Sequence, residues 1–136
     1  MKIYIDENIS KYIALGFQQL QQPYNKRVNV EIEISSIVNE FGRGVPDEEW
    51  IPIIGKQQAC FVTQDRSIRR TRTQWQLCEE HKVGAFFVRM GSRRKGLEYW
   101  QQVEFLIKKW PEIIRLALKT ERPFAFEITA RKISRL

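Results

Sequence analysis

Two apolar runs, ACFVT at 59–63 and GAFFVRM at 84–90, set the strongest constraint on how this chain folds. Side chains alternate between the faces of a strand, so a strand apolar on both faces must be covered on both, as in a parallel sheet between helices. Helical periodicity fills the spaces between such runs. SKYIALGFQQLQ reads as a helix with Ser10 as N-cap and Ile13, Phe17 and Leu20 on its apolar face. A second helix starts at Asp47, after the loop FGRGVP, and carries Trp50, Ile53 and Ile54. SIRRTRTQWQLCEEHK is a third. After the basic turn GSRRKG a long amphipathic stretch places Tyr99, Val103, Leu106, Trp110, Ile113 and Ala117 on one stripe, with Pro111 expected to kink it or to start another helix. KIYI at 2–5 reads as the first strand, and PFAFEIT as a half-buried final one. Alternation of Val28, Val30, Ile32 and Ile34 with polar residues predicts a partly exposed strand over 28–34, towards a sheet edge. This alternation of strand and helix periods defines an α/β protein.

A length of 136 residues predicts a single domain over 1–136. Cys60 and Cys78 show no ligand spacing and are expected as free, buried thiols, and His81, the only histidine, excludes a multi-histidine metal site. Acids lie within six residues of Met1, and no apolar stretch approaches the roughly 18 residues a bilayer span needs, so a cytoplasmic protein without a membrane partner is expected. The net charge of +7 favours a polyanionic partner, either nucleic acid or an acidic protein. Homo-oligomerisation stays open.

Against that basic background the placement of the acids stands out. Asp6 follows IYI and Asp65 follows FVTQ, each just past the end of a strand, while Asp47 and Glu48 open a helix. In an open parallel sheet the carboxyl ends of the strands line one rim, where ligands bind. Each acid also has a local use: Asp6 and Asp65 can close Asx-turns, and Asp47 can cap its helix. Two carboxylates about 4 Å apart repel by about 4 kcal/mol at an effective dielectric of 20, so a shared rim calls for a cation. Oxygen ligands without histidine or thiolate suit Mg²⁺ or Mn²⁺, an ion able to promote phosphodiester cleavage. Arg66, Arg69, Arg70 and Arg72 follow Asp65 directly, and Arg89, Arg93, Arg94 and Lys95 follow the next strand, as a grip on a nucleic-acid backbone would.

IYIDENIS, GVPDEEWI and CFVTQDRSI together resemble the three motifs of small PIN-like proteins over roughly residues 1–90: strand into Asp-Glu-Asn, helix start in Asp-Glu-Glu, strand into Thr-x-Asp. The resemblance implies a three-layer α/β/α fold with a mainly parallel central sheet and a C-terminal helix plus strand. It also implies an Mg²⁺- or Mn²⁺-dependent ribonuclease, of the kind that acts as a toxin neutralised by a cognate antitoxin. Carried over, Asp6, Asp65 and Asp47 or Glu48 become the metal-binding acids, and Glu7 and Asn8 belong to the first motif. Where many PIN-type enzymes have a further acid two residues beyond the third, this chain has Ser67. That implies one metal, or a fourth carboxylate from Glu7 or Glu48. A catalytically silent PIN-like module that binds nucleic acid or protein is the alternative. A phosphoacceptor domain of the receiver type needs a lysine after a later strand, where FFVRM offers Arg89.

Overall fold

The computed structural model describes residues 1–90 and 98–136. In chain order the elements are β1 (Lys2–Ile5), α1 (Lys11–Val28), β2 (Glu33–Ser36), α2 (Ile37–Phe41), α3 (Asp47–Lys56) and β3 (Cys60–Thr63). Then follow α4 (Ser67–Arg70), α5 (Arg72–Glu80), β4 (Gly84–Val88), α6 (Tyr99–Lys119), β5 (Phe124–Ile128) and β6 (Ile133–Arg135). The strands form one sheet in the order β2-β1-β3-β4-β5-β6, every pairing parallel except the last.

Strand periodicity divides the core into two apolar layers. Ile3, Ile5, Cys60, Val62, Phe86, Val88, Phe124 and Phe126 pack with Ile13 and Phe17 of α1 and Leu106, Trp110 and Ile113 of α6. Tyr4, Phe61, Ala85, Phe87 and Ala125 face the other way, onto α2 to α5 through Ile37, Trp50, Ile54, Ile68 and Cys78. The result is the three-layer α/β/α architecture. The chain moves one way across the sheet from β1 to β2 and then the other way from β2 through β5, which makes the gap between β1 and β3 the topological switch point.

The connections are not all of one hand. β1 to β2 crosses the α1 face moving one way, and β3 to β4 crosses the opposite face moving the other way, so these two agree. β4 to β5 keeps the direction of β3 to β4 but crosses on the α1 face through α6, which reverses its hand. Since parallel crossovers are right-handed in the great majority of cases, the C-terminal crossover is the exceptional one.

Several expectations need correction, and Leu20, Ile53 and Tyr99, expected on apolar helix faces, are exposed. The strand over 28–34 starts at Glu33, because α1 continues to Val28 and ends at Asn29, in the left-handed region at φ 54°, whose N–H bonds to the Asn25 carbonyl. Pairing sets that start: β1 begins at Lys2 opposite Glu33, and the Glu33 N–H donates to the Met1 carbonyl. β2 is an edge strand, as expected. The helix after Asp65 is two, broken at the extended Thr71, and the second carries Trp75, Leu77 and Cys78 onto the core. Pro111 neither ends nor restarts α6, which runs unbroken from Tyr99 to Lys119. Packing holds it there: Trp110 meets the Phe17 ring edge-on at 4.7 Å, and its indole N–H donates to Gln21 Oε1 at 3.1 Å. Both cysteines are free and buried, and burial pushes each thiol up to about 12.

The basic turn holding Arg93, Arg94 and Lys95 lies outside the described residues.

Candidate active site

Asp6 leaves β1 at its carboxyl end and is 6 % exposed. Its backbone N–H extends the ladder, donating to the Val62 carbonyl of β3 at 2.9 Å, so the residue is fixed by the β1–β3 pairing itself. Oδ1 accepts from the Glu7 N–H at 2.8 Å, and Oδ2 accepts from Thr63 Oγ1 at 2.7 Å and from Asn8 Nδ2 at 3.2 Å. Burial drives its pKa upward, and the charges of Glu7 and Asp65 push the same way, against the hydrogen bonds from Thr63 and Glu7.

Thr63, the last residue of β3, links the two strand ends. Its hydroxyl donates to Asp6 and accepts from Asn8 Nδ2 at 3.0 Å and from the Asp65 N–H at 2.9 Å. Asn8 completes the clamp by accepting from the Gln64 N–H through Oδ1 at 3.0 Å. Asp65 itself is exposed, and its Oδ1 accepts from the N–H of Ser67. Ser67 therefore supplies no carboxylate at its position in the motif but braces Asp65 through its backbone.

Asp47 enters from the first turn of α3, with Pro46 in the capping position, so Asp47 is not the helix cap. Gln74 of α5 donates to its Oδ2 at 3.2 Å. Its carboxyl is pushed up to about 6, first by burial and then by the charges of Asp6, Glu48 and Asp65. Asp47 thus lies within electrostatic reach of Asp6 and Asp65, at the strand ends beside the switch point. Glu48 is exposed beside Asp47. Glu7 has a separate role, in which Oε2 accepts from the N–H of Gly44, a residue at φ 74°, and so ties the glycine loop before α3 to the rim.

The donor set is oxygen only, and burial followed by neighbouring negative charge raises Asp6 and Asp47, a chemistry that suits a hard divalent cation. Among the described residues, no three acidic, histidine or cysteine side chains stand close enough together to enclose an ion as placed. The ligand chemistry fits; the enclosure is not preformed.

Beside Asp65 opens a cleft lined by Asn8, Gln64, Arg66, Ser67 and Arg70. Arg70 and Arg72 are exposed, whereas Arg69 turns its guanidinium over the Trp75 ring at 5.1 Å. Arg66 pairs with Glu127 of β5, as does Arg89. Thr63, Gln74 and Glu127 were not singled out from the sequence. The Thr of the third motif and the lone acid within PFAFEIT were the signals available.

The fold is a doubly wound α/β sheet with acids at its switch point, beside a cleft lined in part by Arg66 and Arg70. A family model described as a PIN-like domain matches residues 1–90, and the chain belongs to that family, a nuclease-type fold. No curated protein and no solved structure matches the chain. Among the described residues no helix is long and apolar enough to cross a membrane.

Proposed function

We propose that this protein is a metal-dependent endoribonuclease, acting in the cytoplasm as the toxin of a type II toxin–antitoxin pair and restrained by a cognate antitoxin protein. The observation that supports the nuclease reading is Asp47, pushed up to about 6 first by burial and then by the charges of Asp6, Glu48 and Asp65 near the switch point. Asp6, Asp47 and Asp65, with Glu48 at the edge, are the residues to hold Mg²⁺ or Mn²⁺. The chemistry such an ion supplies is activation of water and relief of charge on the phosphoryl oxygens. The chain's own residues do the remaining work. Thr63 and Asn8 hold the Asp6 carboxylate in one orientation, Gln74 holds Asp47, and Arg66 and Arg70 border the cleft into which an RNA backbone fits.

The test is cleavage of a labelled single-stranded RNA by purified protein in Mn²⁺ and in EDTA. Cutting is expected only with Mn²⁺, with a loss of at least about a hundredfold in Asp6→Asn, the scale set by removing an electrostatic catalytic group. Full activity of purified Asp6→Asn in Mn²⁺ would overturn the assignment.

One observation favours the second reading, a PIN-like module that binds without cutting: no ligand group is closed among the described residues. Calorimetry separates the two, since the module predicts RNA affinity without Mn²⁺ uptake.

A further inference from the structure

Glu127 stands outside the acidic group, and nothing in the proposed reaction uses it. It is the only charged residue of β5, whose other four side chains are buried. Its carboxylate is 24 % exposed and faces two guanidinium groups at once: Oε2 lies 3.3 Å from Arg66 Nη1 and Oε1 lies 3.8 Å from Arg89 Nη1. Arg66 comes from the turn between β3 and α4, immediately after Asp65 and on the wall of the cleft. Arg89 follows the last residue of β4. An arginine fork carries five N–H donors, and each of these contacts uses only one nitrogen of the fork. Two guanidinium groups brought this near each other repel unless an acid lies between them. One carboxylate against two cations still leaves a net positive charge beside the cleft.

We infer that Glu127 is a positioning residue, which sets Arg66, with Arg89 behind it, to grip a backbone phosphate of RNA beside Asp65. The inference rests on the nucleic-acid reading above. Its competitor is an ion group that merely fastens β5 to the turn after β3. The two accounts differ in sign. Glu127→Gln keeps the side chain's shape and removes a negative charge from a basic surface, so charge alone tightens RNA binding. Loss of positioning weakens it in spite of the added positive charge.

The experiment measures fluorescence anisotropy of a labelled single-stranded RNA in EDTA across a salt series, with wild type, Glu127→Gln, Arg66→Ala and the double variant. We expect Glu127→Gln to raise Kd by at least about threefold and to flatten the slope of log K against log salt by roughly 0.7, the share of one phosphate contact on a single strand. It should add nothing in the Arg66→Ala background. Unchanged or tighter binding by a folded Glu127→Gln, or an equal loss with and without Arg66, overturns the inference and leaves the RNA reading standing. Failure of the wild type to bind RNA removes both. Should Glu127→Gln unfold, Glu127→Asp retains the charge and withdraws it by one methylene, and it must weaken binding too.

Discussion

Thr63 devotes its entire hydrogen-bonding capacity to the site, giving one bond to Asp6 and taking one each from Asn8 and the Asp65 N–H, while fully buried. Its replacement by valine keeps the volume and strands three partners, two of them side chains. Thr63→Val should therefore cost about 1–3 kcal/mol in denaturant unfolding, and NMR titration should find the Asp6 pKa higher still, because the hydroxyl bond now holds it down. An unchanged Asp6 titration would contradict this account of the clamp. Asp6 and Asp65 were legible in the sequence because the end of an apolar run marks the end of a strand. Thr63 and Asn8 are 55 residues apart, and their bond exists only because β1 and β3 are neighbours in the sheet. Glu7 shows the same limit, since its partner Gly44 belongs to a loop 37 residues away.

At the scale of elements, continuous apolar runs identified β3 and β4 well, and the helical stripe identified α6. What periodicity leaves out is the depth of contact between elements. Gly84 opens β4 opposite Phe124 of β5, and a Cβ added there would lie 2.3 Å from that ring. The ring has little room to yield, since it packs against Phe86 at 5.1 Å and Phe126 at 5.4 Å. Gly84→Ala is thus expected to destabilise by about 1–3 kcal/mol through overpacking, read as a lower denaturant midpoint at constant slope. A neutral result would mean that β4 and β5 sit further apart at this end. The hairpin partner β6 was missed because three residues of mixed polarity carry no period. The start of β2 was misplaced because its ladder is limited by where β1 begins, not by its own alternation.

For the molecule as a whole, the net charge of +7 raised the expectation of a polyanionic partner but could not place the acids of opposite sign that the fold brings to its switch point. Folding gathers Asp6 and Asp47 from distant positions in the chain and partly removes both from water, so each holds its proton more tightly than in the unfolded chain. The sign is the reverse of that for an acid held by a salt bridge. Because the folded pKa lies above the unfolded one, the folded state binds more protons between about pH 4 and pH 6, and stability falls as pH rises through that window. Asp47 is partly solvated, so its share is about 1 kcal/mol after screening, well below what the full shift implies. Thermal melts of the metal-free protein should show Tm declining from about pH 4 to pH 6 and levelling off above, with a shallower decline in Asp47→Asn. A divalent cation favours the ionised acids, so Mn²⁺ should stabilise most at the upper end of the range and flatten the profile. If the profile of Asp47→Asn matches that of wild type, Asp47 is not titrating in this window and the acids do not share the environment described.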